Sequence, residues 1–309
     1  MSLLRPIDLI KADNAMIRSP RRVLIVYNPT SGWRRASRLE AVVKRLRQFG
    51  CSVDVRPTAG PGDATLIARD GIRDSFDVIV AAGGDGTINE VANALPPGSP
   101  PLGVIPLGTA NILAWEIGLG RGTERVARTI AEGISRPIVV GRIGERKFLL
   151  MVGIGFDGAV VAAISTPLKR CLGKGAYVLA GMIQMARYRW PTLAVKVDGV
   201  THSCAMSIIA KAHYYAGQYV LAADAGPEEP LFRVCLFRGG GVWNLLRYGI
   251  AMSLGRLDRL PDVTIVPARE VMVDRLPTVP VQTDGESLGQ TPVNVTISDE
   301  HLAVLWPVG

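Results

Sequence analysis

Gly83-Gly84-Asp85-Gly86-Thr87 stands between an apolar run, Asp77-Val78-Ile79-Val80-Ala81-Ala82, and a stretch of helical character, Ile88-Asn89-Glu90-Val91-Ala92-Asn93-Ala94-Leu95. The order is strand, tight turn, helix start. Glycine lacks a Cβ, so such a turn lets the main chain come close to a ligand, and the unpaired N–H groups of a helix start attract anions. The loop reads as a phosphate cradle. Asp85 in its middle puts a negative charge where phosphate should lie, which calls for a divalent cation or a transferable proton. Phosphoryl transfer is the chemistry that fits. The string matches neither the G-x-G-x-x-G dinucleotide spacing nor the P-loop string ending in Lys and Ser or Thr.

Outward from this loop, residues 21–143 alternate short β-rich runs with helical stretches, the pattern of a parallel sheet wrapped by helices. Strands are predicted at Arg22 to Tyr27, Ser52 to Arg56, Asp77 to Ala82, Leu102 to Ile105 and Pro137 to Ile143, with helices at Ser37 to Phe49 and Thr123 to Ile134. In such α/β sheets ligand loops lie at the carboxyl ends of the strands. Asn28, Thr58, Gly83 and Pro106 fall there. From residue 144 to 309 the texture changes to short strand candidates punctuated by turn residues, as in an antiparallel sandwich. These are Lys147 to Val152, Thr192 to Val197, Ser203 to Ala210, Arg233 to Phe237, Val263 to Val266, Val271 to Val273 and Val293 to Ile297. Helical stretches at Leu168 to Arg189 and Val242 to Leu257 interrupt them. Residues 1–20 read as an N-terminal extension.

At 309 residues and 48% hydrophobic content the chain can bury a substantial core and has room for two domains. No apolar block approaches the roughly 18 to 20 residues of a membrane-spanning helix, and charges at Arg5, Asp8, Lys11, Asp13 and Arg18 interrupt any secretory signal. A cytoplasmic protein is expected. Cys51, Cys171, Cys204 and Cys235 are widely spaced and form no zinc or redox motif, so reduced thiols are the default. A net charge of +8 suggests an anionic partner. Arg18, Arg21, Arg22, Arg34, Arg35, Arg38, Lys44, Arg45 and Arg47 concentrate that excess, opposed locally by Glu40; they form either a solvated helix face or a membrane-facing patch. Lys169, Arg170, Lys174, Arg187 and Arg189 give the helix at 168–189 the composition of a core-packed or a membrane-surface helix. Nucleic acid is disfavoured, because there is no zinc-finger spacing, no RNA-binding signature and only 6% aromatic content for base stacking.

Four further segments carry candidate chemistry. Asn28-Pro29-Thr30-Ser31-Gly32 follows the first strand and is either an ordinary turn or a second phosphate loop. Thr109, in Pro106-Leu107-Gly108-Thr109-Ala110-Asn111, either caps the next helix or binds a phosphate oxygen. Thr58 ends the second strand, where a turn and a nucleoside contact compete. Thr283-Asp284-Gly285-Glu286 is a favoured hairpin-turn sequence, yet it also supplies the carboxylates that phosphoryl transfer needs to take the proton of an attacking hydroxyl. His202, His213 and His301 are the only histidines, and none adjoins a phosphate loop.

Together these segments, with Gly153-Ile154-Gly155-Phe156-Asp157, resemble in content and order the diacylglycerol kinase catalytic family, which includes sphingosine and ceramide kinases and bacterial soluble lipid kinases. The resemblance implies a nucleotide-binding α/β domain, a β-sandwich domain and an active site in the cleft between them. It implies that Asn28, Pro29, Thr30, Ser31, Gly32, Thr58, Gly83, Gly84, Asp85, Gly86, Thr87, Ile88, Asn89 and Thr109 hold ATP. Asp85 would engage Mg²⁺ through water. Glu286 is the first choice for the catalytic base and Asp284 the second, with family members differing over whether the glycine-loop aspartate takes that role. A lipid acceptor, with peripheral association at an anionic membrane surface, follows; a homodimer is left open. Two departures stand out. Asn111 is followed by Ile112 where many bacterial members have aspartate, and Glu229-Pro230-Leu231 replaces the Asp-Gly-Leu-type turn through which some relatives bind a structural Mg²⁺. The alternatives are a kinase of a soluble acceptor, such as NAD kinase or a phosphofructokinase, which also use a Gly-Gly-Asp-Gly loop, and a catalytically silent sensor.

Overall fold

The computed structural model describes residues 21–30, 35–163, 181, 183 and 187–308. The N-terminal extension with Arg18, the loop residues Ser31 and Gly32, Arg34, Cys171 and most of the helix expected at 168–189 lie outside the described residues. The first half runs β1 (Arg22–Tyr27), α1 (Arg35–Gln48), β2 (Ser52–Pro57), α2 (Asp63–Arg73), β3 (Val78–Gly83), α3 (Asp85–Ala94), β4 (Leu102–Pro106), α4 (Ile112–Glu116) and α5 (Thr123–Glu132). The chain continues through β5 (Ile134–Ile143), β6 (Arg146–Phe148), β7 (Met151–Ile154), α6 (Phe156–Ala162), β8 (Leu193–Val197), β9 (Val200–Cys204) and β10 (Met206–Ala210). It ends with β11 (Tyr214–Tyr215), β12 (Tyr219–Val220), β13 (Phe232–Phe237), α7 (Val242–Ser253), β14 (Val263–Ala268), β15 (Glu270–Val273), β16 (Pro280–Thr283), β17 (Glu286–Gln290) and β18 (Val293–Trp306).

Strands β2, β1, β3 and β4 pair in that order and in parallel. β3 and β4 are buried along their whole length, as strands covered by helices on both faces must be. Small residues Ala64, Ala68 and Gly71 form the buried stripe of α2. The parallel sheet does not stop at the end of this half. β18 pairs in parallel with β4 and antiparallel with β5, which in turn carries β6, and β15, β8 and β9 continue beyond it to make ten strands. The last strand of the chain is therefore far longer than the Val293–Ile297 expected, because one end serves the first half and the other the second.

A six-stranded antiparallel sheet, β14-β13-β10-β7-β16-β17, packs on the far end of the larger one. Phe148, Val152, Ile154, Val195, Phe232, Val234, Val271, Val281 and Val295 form the core between them, so the second half is a sandwich as expected. Two strands predicted as continuous are broken. Leu149 and Leu150 separate β6 from β7, and Ala205 separates β9 from β10, its N–H donating instead to Phe237 O at 2.7 Å.

Four of the early cations are engaged within the fold. Arg21 donates to Ile130 O and Gly133 O, Arg22 to Asp74 O and Ser75 O, and Arg38 to Arg121 O, while Arg45 pairs with Glu124 on α5. These cations fasten the helices and the sheet edge of the first half.

A buried lysine braces a turn of the second half. Lys211 is fully buried, and its ammonium donates to the carbonyls of Gly226 (2.8 Å), Pro227 (3.2 Å) and Glu229. This is the turn in which the family resemblance pointed to a structural Mg²⁺. A resident ammonium among those carbonyls repels a divalent cation, so the residues present do not fit that metal. Glu116, at the end of α4, accepts the Tyr214 N–H at 2.8 Å. Burial pushes Glu116 up to about 7, with the Tyr214 and His213 amides and the Lys211 charge pulling the other way. Burial likewise lowers Lys211 to about 8, against the pull of Glu229 and Glu116.

Burial favours the neutral form of Glu116. Its folded value lies above its ordinary 4.5, so its part of the stability is complete below about pH 4.5 and is lost as pH rises through about 7. Glu116→Gln keeps the acceptor for Tyr214 and removes the titration. Its melting temperature minus that of wild type should therefore increase between pH 5 and pH 8 in parallel thermal scans.

Candidate active site

The site is built at the carboxyl ends of β1, β3 and β4. Gly84 caps α3 with extended backbone, and Asp85 opens the helix, leaving the first-turn N–H groups directed outward. Leu107 and Gly108 both donate to Gly83 O at 2.9 Å, drawing the loop after β4 onto the glycine loop. The approach is so close that a side chain on Gly108 would collide with Gly84 Cα. Asn28, just after β1, donates through Nδ2 to Thr87 Oγ1 at 3.0 Å and accepts from Thr30 N–H and Oγ1. Pro29 and Thr30 are exposed, and Thr58 is buried with its N–H on Tyr27 O. Thr109 is half-buried, and its carbonyl accepts from Arg121 at 3.3 Å.

Asp85 does not point into the cradle unaided. Its Oδ2 accepts from Asn111 N–H at 2.9 Å and its Oδ1 from Ile112 N–H at 2.8 Å. Burial raises it to about 6, while those amides hold the rise back and the Asp284 charge adds to it.

Asp284 and Gly285 join β16 to β17 with φ of 49° and 81°, the positive values that a two-residue hairpin turn demands. Turn and site coincide here. The buried Asp284 accepts four hydrogen bonds: Oδ1 from Leu150 and Met151 N–H, each at 2.9 Å, and Oδ2 from Leu149 N–H at 2.8 Å and Asn89 Nδ2 at 2.6 Å. The break between β6 and β7 now has its cause, because those amides leave the ladder to meet this carboxylate. Burial raises Asp284 and the four donors oppose the rise.

Glu286 is the accessible member. Its side chain is 37% exposed, it pairs with Arg146, and a methyl group on Gly86 would lie 2.9 Å from its Oε1. The two acidic segments, some 200 positions apart in sequence, therefore meet over one glycine loop. A second brace holds the hairpin. Asp157 of the Gly153–Asp157 motif accepts from Tyr215 and from Gln282 Nε2 at 2.6 Å, and Gln282 Oε1 accepts from Gly285 N–H at 2.8 Å. Burial raises Asp157 as well, the Tyr215 and Gln282 bonds opposing it.

Sequence reasoning did not find Arg146 or Asn93. Arg146 also reaches Asn89 Oδ1 at 3.3 Å. Asn93 donates to Asn89 and to Lys147 O while accepting Lys147 N–H. Asparagines at i and i+4 on one helix, as Asn89 and Asn93 are, share a face, and that spacing was the available signal for Asn93. No spacing marks Arg146.

No cluster of three or more metal-ligating side chains occurs among the described residues. With both Asp85 oxygens on amides and Asp284 saturated, the carboxylates fit an ion reached through water and carried by an incoming ligand, rather than a cage made by the protein.

The geometry divides the two hairpin carboxylates by role. Asp284→Asn would set an NH₂ against amide donors in a buried site, a loss of roughly 2–5 kcal/mol. Glu286→Gln should stay within about 1 kcal/mol of wild type, as exposed pairs contribute little. Urea unfolding of both variants reads the difference.

Comparison with known proteins places this arrangement. Residues 22–143 match the model of the diacylglycerol kinase catalytic domain, and 150–306 that of the YegS C-terminal NAD kinase beta sandwich-like domain. The diacylglycerol kinase of Bacillus subtilis strain 168 is 30% identical over 293 residues, covering 93% of this chain and 97% of the relative. The crystal structure of a diacylglycerol kinase from Bacillus anthracis str. Sterne superposes with a TM-score of 0.70 at 20% identity, over 93% of this chain and 97% of its own. Yeast NADH kinase shares the fold more distantly, with a TM-score of 0.50 at 11% identity over 94% of this chain and 85% of its own. The chain belongs to the diacylglycerol kinase catalytic family and is a kinase whose acceptor is an alcohol group.

Proposed function

We propose that the protein transfers the γ-phosphate of ATP to a hydroxyl of a membrane lipid, with diacylglycerol, ceramide and sphingoid bases as the candidate acceptors. The observation that carries this reading is the contact of Glu286 with Gly86, which sets an accessible carboxylate at the rim of the phosphate cradle. The N–H groups opening α3, with Asn28, Thr30 and Thr87 beside them, bind the phosphates. Thr58 and Thr109 border the same nucleotide.

Glu286 then takes the proton of the acceptor hydroxyl as its oxygen attacks the γ-phosphorus in line. The bond from phosphorus to the bridging oxygen breaks and ADP leaves. Arg146 fixes the carboxylate against the glycine loop. Asp85 and Asp284 act by positioning, one tying the cradle to α4 and the other tying α3 to the hairpin. Mg²⁺, carried in on the nucleotide, supplies charge neutralisation on the phosphates.

Incubation with labelled ATP, Mg²⁺ and mixed micelles of the three lipid classes should yield one labelled lipid. No labelled lipid in any mixture, together with phosphorylation of NAD, would replace this reading with a soluble-acceptor kinase, the activity named for the distant yeast structure. Glu286→Gln should lower turnover by about 10² or more with ATP affinity near wild type; unchanged turnover removes Glu286 from the mechanism.

A further inference from the structure

We propose that α7 and the basic residues around it form the face by which the protein docks on an anionic lipid bilayer. This rests on the lipid-kinase reading, which requires the chain to meet its acceptor at a membrane, and it names a surface that the sequence-based expectations did not.

Helix α7 is twelve residues long and contains no carboxylate. One side is anchored. Tyr248 and Ala251 are buried, the Tyr248 ring lies 4.9 Å from that of Phe237, and its hydroxyl donates to Asp262. These anchors fix the rotation of the helix about its axis. The opposite side is apolar and open: Trp243 is 84% exposed, Leu246 48%, Ile250 62% and Leu254 62%. Positions 243, 246, 250 and 254 fall on one stripe. A surface helix of a soluble protein normally turns such a stripe inward, and contiguous exposed apolar residues mark an interaction site.

The charges bordering the stripe select the occupant. Arg238 precedes the helix, exposed Arg247 lies on it, and exposed Arg256 and Arg259 follow it. Trp190 lies against Gly240 at the helix start, and exposed Arg189 and Arg187 precede it closely in the chain. Against them stand Asp258 and Asp262, the latter engaged by Arg247 and Tyr248. A second copy pairing through this face would oppose one basic border to another. An apolar stripe with an exposed tryptophan inside an arginine border is instead the composition of a helix lying in the interface of an anionic bilayer.

Among the early arginines, Arg21, Arg22, Arg38 and Arg45 are engaged within the first half, and that half shows no exposed apolar stripe like that of α7 among its described residues. Nothing in the proposed mechanism uses α7, so docking and catalysis can be separated.

The test combines Trp243→Ser, Leu246→Ser and Ile250→Ser in the full chain. Co-sedimentation with phosphatidylglycerol–phosphatidylethanolamine vesicles should fall at least about tenfold, with the melting temperature held near that of wild type. Wild type should bind phosphatidylcholine vesicles weakly. Phosphorylation of lipid embedded in vesicles should fall with binding, while that of a short-chain acceptor dispersed in water should not. Unchanged sedimentation of the triple variant overturns the proposal, as does a wild-type dimer by light scattering that the variant converts to monomer without loss of vesicle binding. Sedimentation involves no turnover, so a wild-type protein that binds vesicles through α7 yet phosphorylates neither acceptor would count against the kinase reading alone.

Discussion

The Asp284 carboxylate holds the site together. Its four donors come from the junction between β6 and β7 and from α3, elements that belong to different halves of the chain. A buried ionised carboxylate is tolerable only when its oxygens are filled with hydrogen bonds. Filling them requires Asn89 on one side and three consecutive amides on the other. The glycine loop at the head of α3 and Glu286 at the start of β17 are therefore fixed relative to each other through this group. Asp157 and Gln282 stiffen the same hairpin from behind. An ammonium plays the comparable part elsewhere, where Lys211 satisfies three carbonyls of a turn.

The sheet of the first half was legible because its central strands obey one rule. Runs such as Val78–Gly83 are apolar on both faces, and helices must cover both. The second half was harder. Alternating burial, as in β8, announces a strand but not its partner, and nothing local says that β18 would leave the sandwich to run beside β4 and β5. The two broken strands show a related limit. Lys147–Val152 is a sound strand by composition, yet Asp284, distant in sequence, withdraws the amides of Leu149, Leu150 and Met151 from pairing.

The site was legible where chemistry depends on a short string and obscure where it depends on meeting across the chain. The glycine loop, Asn28 and the hairpin carboxylates could be named from spacing and turn preference. Their division of labour could not. Asp284 and Glu286 are two residues apart, and only the fold shows one sealed by amides and the other open beside Gly86. Arg146 carried no pattern, since an arginine after a turn reads as solvated surface. The excess positive charge misled in a different way, because several of the arginines that supply it act as braces on backbone carbonyls.

Asp85 poses the sharpest electrostatic question, a carboxylate at the mouth of a site meant for phosphates. Repulsion between unit charges at about 4 Å reaches about 4 kcal/mol at an intermediate dielectric, enough to spoil binding if left uncompensated. Compensation lies within the fold. Both oxygens of Asp85 face the N–H groups of Asn111 and Ile112, donors that the start of α4 would otherwise leave unpaired. The same bonds clamp the loop after β4 against the glycine loop, alongside the two bonds to Gly83 O. Its charge thus serves to close the cradle, and the outward N–H groups of α3 remain available to the phosphates. A residue whose presence first suggested a metal ligand owes its place at least as much to holding two backbone loops in contact.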